Sequence, residues 1–258
     1  MLGLTQGLSN TTTKLFSPLD LLARTANTDF WWTSSYGPTD SSGNLVSHGD
    51  TVEHWAQRLH AGNTSNYILV DESAGGKEFL YDRGYIHSSD NENSKWSLKQ
   101  SDQTTDVSLT ATADIYMFYR VKFGTFTGGS DIFSQDQHTS GDHFRILDHN
   151  TLRGKIAGGT NRNWDFATNT FVVDTWYNVE IQRSGSTWTI TCNGVVSSSS
   201  VTDNGTITIN RFFAVADGHI SDILIKIGTI PSAADREKLL TWAKRKNDLT
   251  WESGGLTT

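Results

Sequence analysis

Trp176-Tyr177-Asn178-Val179-Glu180-Ile181-Gln182-Arg183-Ser184-Gly185-Ser186-Thr187-Trp188-Thr189-Ile190-Thr191-Cys192-Asn193-Gly194-Val195-Val196 reads as two successive hairpins. Tyr177, Val179 and Ile181 alternate with Asn178, Glu180 and Gln182, the two-residue period of a strand with one face in a core. Ser184-Gly185-Ser186 turns the chain into a second strand from Trp188 to Cys192. Asn193-Gly194 then supplies the pair best suited to a type I′ turn, because both residues tolerate positive φ. Antiparallel topology follows locally. Cys192, inward with Trp188 and Ile190, reads as a small buried hydrophobe.

Working outward, the same grammar covers most of the chain. Short β-branched and aromatic runs alternate with Gly, Asn, Asp and Ser clusters. In 116–123, Tyr119, Val121 and Phe123 share one face while Arg120 and Lys122 take the other. Further strands are expected at 206–209, 211–215 and 220–227, the last covered on both faces. Trp31, Trp55, Trp176 and Trp188 fall in strand patterns and are expected in the core. One helix stands out after Pro231: Ser232 is its N-cap and Asp235 closes a capping box. Leu239, Leu240 and Ala243 form its apolar stripe. Lys244, Arg245 and Lys246 suit the negative end of its dipole and read as solvated. The expected organisation is an N-terminal arm over 1–28, an all-β body over 29–230, and a C-terminal helix with a short tail over 231–258. Leu2, Leu4 and Leu8, then Phe16, Leu19 and Leu21 around Pro18, make the arm apolar but too short to bury itself. It docks either on its own domain, the default for such termini, or on a neighbouring subunit.

Composition excludes several classes. With 21 Lys and Arg against 28 Asp and Glu in 258 residues, the net charge is −7. No basic run precedes Lys244-Arg245-Lys246, so nucleic acid is a poor partner. The densest apolar run, Ile115-Tyr116-Met117-Phe118-Tyr119, is far short of the roughly 20 residues of a membrane span. The start lacks a cationic n-region and a long apolar core, so no signal peptide is read. Cys192 is the one cysteine, which excludes an intrachain disulfide and a thiolate zinc site and points to a reducing cytosol.

Three segments in order resemble the concanavalin A-like (laminin G-like) jelly-roll superfamily, in the versions found in tailed-phage virion proteins. The first is Phe30-Trp31-Trp32 followed by Gly43-Asn44-Leu45-Val46 and Val52-Glu53-His54-Trp55-Ala56. The second is Thr175-Trp176-Tyr177 through Asn193-Gly194, and the third is Ile220–Ile225 leading into the helix with Trp242. The resemblance implies an all-β, two-sheet antiparallel jelly-roll sandwich with an N-terminal arm and one C-terminal helix. It implies a non-enzymatic virion structural protein, decorating a capsid, fibre or tail. Such a protein would be made in the host cytoplasm, dock on other virion proteins and form a homo-oligomer. The alternative is a lectin module that recognises host surface glycans.

The enzymatic branch of the superfamily uses Glu-x-Asp-x-x-Glu on a strand, which sets two acids on one face. None of the seven Glu here begins such a pattern, so no catalytic residue is expected. The stretch 131–150, with Asp136, His138, Asp142 and His143, has residue types that suit Ca²⁺, but its spacing matches no metal motif. No cofactor is therefore expected, and polar loops are the plainer reading. Trp96 and Trp164 sit among polar residues and are expected either to cover the core edge or to stack on a sugar.

Overall fold

The computed structural model describes residues 16–22, 28–58, 66–72, 79–88, 95–126, 130–135, 141–168, 170–213 and 217–248. The strands are β1 Asp29–Thr33, β2 Pro38–Thr39, β3 His54–Ala56, β4 Ile68–Asp71, β5 Phe79–Asp82, β6 Tyr85–Ser88 and β7 Trp96–Lys99. They continue with β8 Leu109–Ala111, β9 Ile115–Phe123, β10 Ser130–Ser134, β11 His143–Ile146, β12 Thr151–Lys155 and β13 Arg162–Asp165. The last are β14 Trp176–Ser184, β15 Thr187–Cys192, β16 Val195–Val196, β17 Val201–Thr202, β18 Ile207–Ile209, β19 Arg211–Phe212 and β20 Gly218–Ile227. Helix α1 is Ala233–Asp248.

Two antiparallel sheets face each other, as the all-β sandwich reading requires. One runs β16-β15-β14-β9-β20-β6-β5, with β1 also on β20 and β17 on β15. The other runs β13-β12-β11-β10-β19-β7-β4-β3-β2, and β18 pairs with β8 beside them. The hairpin register is as the sequence suggests: Val179 pairs with Cys192 and Ser184 with Thr187. Asn193 and Gly194 both have positive φ, 50° and 86°.

The aromatic content fills the space between the sheets. Trp32, Trp55, Trp96, Trp164 and Trp188 are all fully buried there. From β9, Ile115, Met117, Tyr119, Val121 and Phe123 point into this core, whereas Tyr116 and Phe118 point to the outside of the first sheet. That outer face is not bare. Leu239 and Ala243 of α1 close over Trp31, Tyr116, Phe118 and Leu224, and Phe16, Leu19, Leu21 and Leu22 pack alongside. The helix begins as expected, with the Asp235 amide donating to Ser232 Oγ at 3.2 Å and the Ser232 hydroxyl to Asp235 at 2.8 Å.

Two expectations change, and the arm takes the first of its two alternatives within this chain. Phe16, Leu19 and Leu21 pack on their own sheet, because Trp31, Tyr116, Phe118 and Leu224 offer an apolar surface within reach. The Lys226 ammonium fixes this segment by donating to the Leu21 carbonyl at 2.8 Å. Lys246 is not solvated. It reaches back to the fully buried Asp222 at 2.9 and 3.0 Å, since a carboxylate under the helix end needs a counter-charge. Trp31 is buried as expected, in the core cluster beneath the helix, whereas Trp176 lies half-buried on the outer face. Leu2, Leu4 and Leu8 lie outside the described residues.

Candidate functional site

Of the residues expected to bind ligand, Trp96 and Trp164 are fully buried and present no ring face to a sugar. Their polar neighbours are the outward positions of β7 and β13. Trp96 stacks on Phe79 at 4.4 Å, and Trp164 packs against Phe144 at 5.3 Å. Asp142, also buried, accepts the Gly158 amide at 2.9 Å and the Thr208 amide at 2.8 Å, so it holds loops together. His143 is buried too; its Nδ1 lies 3.2 Å from the Gly141 carbonyl and its Nε2 3.0 Å from Arg145. A carbonyl can only accept, so Nδ1 carries the proton and Nε2 receives the guanidinium. Asp136 and His138 lie outside the described residues. Among the described residues no group of three or more His, Cys, Asp or Glu could hold a metal ion, and no helix is long and apolar enough to cross a membrane.

The structure places a cleft elsewhere. Ser34, Ser35, Tyr36, Gly37, Pro38, Thr39, Leu45, Val46, Ala56 and Tyr81 enclose about 450 Å³ where the β1–β2 loop meets β3 and β5. That volume is in the range of small-molecule sites. Gly37 makes the cleft: at φ 88°, a Cβ there would meet the Ala56 carbonyl oxygen at 2.6 Å. Its absence lets the Ala56 amide donate to the Gly37 carbonyl at 3.2 Å. Tyr36 stands at the lip, 50% exposed, with the Arg58 guanidinium 5.4 Å from its ring. Leu45, 79% exposed, forms the opposite lip. Burial raises the Tyr81 phenol, which therefore stays a hydrogen-bond donor. Leu45 and Val46 also line a neighbouring hollow of about 310 Å³ bordered by Asp40, Asp50 and Glu53. Asp40 accepts from Ser42 and Asn44 and shapes its own loop; Asp50 accepts from Ser47.

A second polar cluster occupies the part of the first sheet that α1 leaves open. Trp176, Lys122, His219 and His87 are successive cross-strand partners on β14, β9, β20 and β6. The two imidazoles stack at 4.4 Å. His219 Nε2 lies 3.2 Å from Asp82, and His87 Nε2 lies 3.8 Å from Asp217. Asp82 also meets His48 at 3.3 Å. In the next row the buried Arg120 guanidinium sits 4.1 Å from the Trp176 ring centre and 5.4 Å from Tyr85, while the two rings are 4.6 Å apart. The His219 imidazole meets the same indole edge-on at 6.2 Å.

Burial, with the neighbouring Lys122 and His87 charges, lowers the His219 pKa to about 4, against the opposing pull of Asp82. An unfolded His219 takes its proton near pH 6.5. The unfolded state therefore binds more protons between these values, and stability falls as pH drops from about 6.5 to about 4. Urea unfolding at pH 7, 5.5 and 4 is expected to show wild type losing up to about 3 kcal/mol relative to His219→Gln. Parallel pH curves for the two proteins would rule out this linkage.

The comparisons with known proteins bear on the fold. No family model matches the chain, and no curated protein matches it. Among solved structures, the Trypanosoma rangeli sialidase in complex with 2,3-difluorosialic acid aligns over 93% of this chain and 37% of its own, with 6% identity and a TM-score of 0.54. The same sialidase with the inhibitor DANA aligns over 87% and 34%, with 7% identity and a TM-score of 0.50. The binding domain of botulinum neurotoxin serotype D aligns over 85% and 51%, with 10% identity and a TM-score of 0.49. The chain thus spans about a third of the length of the sialidase it resembles. At such identities the likeness is one of fold. It does correct one expectation. A sandwich like this one occurs within an enzyme, so lacking Glu-x-Asp-x-x-Glu does not make the chain non-enzymatic.

Proposed function

We propose that the chain is a glycan-binding β-sandwich whose ligand enters the Tyr36 cleft. The observation that carries this reading is the cleft itself, which sets a half-exposed aromatic ring beside hydroxyls and next to an acidic hollow. A pyranose has apolar C–H faces and a rim of hydroxyls. Tyr36 offers a flat apolar surface for the first. The Tyr81 phenol and the Glu53 carboxylate offer a donor and an acceptor for the second. The sialidase that shares the fold is itself a sugar-directed protein, which agrees with the reading without carrying it.

Within this reading the module belongs to a tailed-phage particle and presents its cleft to surface glycans. The support is the apolar arm with Leu2, Leu4, Leu8 and Phe16–Leu21, attached to a sandwich sequence that looks most like the versions found in tailed-phage virion proteins; docking on other virion proteins as a homo-oligomer belongs to the same proposal. Antibody labelling of purified particles tests the location, and particles without the protein would end it.

A glycan array followed by calorimetry tests the binding. Tyr36→Ala is expected to weaken the best neutral ligand at least about tenfold, the equivalent of ~1.4 kcal/mol. Unchanged affinity in Tyr36→Ala would remove the cleft from the argument, and silence across the array would remove the function.

A further inference from the structure

We infer that the row Trp176–Lys122–His219–His87 is a second saccharide site, selective for a sugar that carries one carboxylate. The inference takes its ligand family from the glycan-binding reading and its selectivity from residues outside the Tyr36 cleft. Lys122 is the centre of the argument. It is half-buried, and among the described residues its ammonium has no hydrogen-bond or ion-pair partner. It also lies directly across from His219 and is one of the charges that lower that imidazole's pKa. A cation held at such a place, with no counter-ion of its own, costs stability for no structural return. An arriving anion would reverse that cost.

The flanking residues narrow the anion. Trp176 is the cross-strand partner of Lys122 on the other side. Arg120 and Tyr85 pack against its indole and His219 meets it edge-on at 6.2 Å; the indole stays half-exposed, and that exposed part is the surface offered to a sugar ring. Asp82 and Asp217 border the row through the two imidazoles. Their negative charge sets a limit: one carboxylate is tolerated beside Lys122, whereas a phosphate dianion meets repulsion from both. A lone lysine is moreover a point charge without the bidentate fork of an arginine. Ring stacking and one monoanionic contact together describe a uronic-acid-type sugar.

The test compares a glucuronic acid tetrasaccharide, its carboxyl-reduced glucose counterpart and glucose 6-phosphate by calorimetry and by the Trp176 indole resonance. The full chain, Lys122→Gln, Trp176→Leu and Tyr36→Ala are each titrated. The acidic tetrasaccharide is expected to bind the full chain at least tenfold more tightly than its neutral counterpart, to weaken with added salt, and to lose that preference in Lys122→Gln. Trp176→Leu is expected to weaken both sugars at this row, with circular dichroism confirming its fold. Tyr36→Ala is expected to leave acidic binding unchanged. Equal affinity for the acidic and neutral sugars, tighter binding of the phosphate, or an unaltered Lys122→Gln would each overturn the inference. A neutral sugar that binds only through Tyr36, with no acidic binding, would overturn it and leave the cleft standing. No binding of any sugar would remove both.

Discussion

Arg183→Met is expected to cost about 4 kcal/mol, from about 1–3 kcal/mol for each buried carbonyl left without its donor. Arg183 is fully buried at the end of β14. Its Nε donates to the Ala113 carbonyl at 2.7 Å, Nη1 to Gly205 at 2.6 Å, and Nη2 to Ala111 at 3.2 Å. The guanidinium also lies 5.2 Å from the Trp188 ring centre. Ala111 ends β8, Ala113 precedes β9 and Gly205 precedes β18, so one side chain gathers the small β8–β18 sheet onto the large one. Methionine keeps most of the packing volume but leaves three carbonyls without this donor. Arg183→Lys keeps a charge yet can serve only one or two of them from a single nitrogen, and is expected to cost about half as much, ~2 kcal/mol. Guanidinium unfolding of the three proteins gives the comparison. A Met variant within 1 kcal/mol of wild type would mean that these carbonyls find water instead.

The hairpins and the helix cap were legible because their signals are local. Asn193-Gly194 fixes one turn, Ser232 and Asp235 fix the helix start, and alternation in β9 and β14 fixes which side chains face in. Alternation also contained a lesson for Trp176. With Tyr177 inward, Trp176 must be outward; lying in a strand pattern does not by itself place a tryptophan in the core. Trp96 and Trp164 misled for the opposite reason. Ser97 and Lys99, or Asn163 and Asp165, are the outward residues of strands whose inward residues are Trp96 with Leu98, or Trp164. A short strand with one polar face reads like a loop around a tryptophan. The site was less legible still. Tyr36 lies in Ser34-Ser35-Tyr36-Gly37-Pro38, which announces a turn but not the β3 and β5 residues that wall the cleft. The row from Trp176 to His87 draws its members from four strands spread over much of the chain. No local pattern states that pairing; it follows from β9 and β20 meeting at the centre of the sheet.

Trp96→Ala is expected to cost 3–5 kcal/mol, as truncation of a buried aromatic does, whereas Trp96→Phe is expected to be mild for a core tryptophan. The ring is fully enclosed, stacked on Phe79 at 4.4 Å and edge-on to Trp55 at 6.1 Å, so alanine leaves a cavity bounded by rigid rings. The indole nitrogen is different. Trp96 Nε1 is buried without a hydrogen-bond acceptor, and a buried donor without a partner is already a cost in the folded state. Phenylalanine removes that donor along with one ring. Trp188 supplies the control, because its Nε1 donates to the Asp203 carbonyl at 3.0 Å, and Trp188→Phe would strand that carbonyl. Trp188→Phe is therefore expected to destabilise more than Trp96→Phe by about 1 kcal/mol, read as the difference in urea midpoints at equal m-value. Equal losses would show that the Trp96 nitrogen is satisfied in solution. Ligand affinity at the Tyr36 cleft is expected to be unchanged in Trp96→Phe, since this tryptophan packs the core beneath β7 and touches no ligand surface.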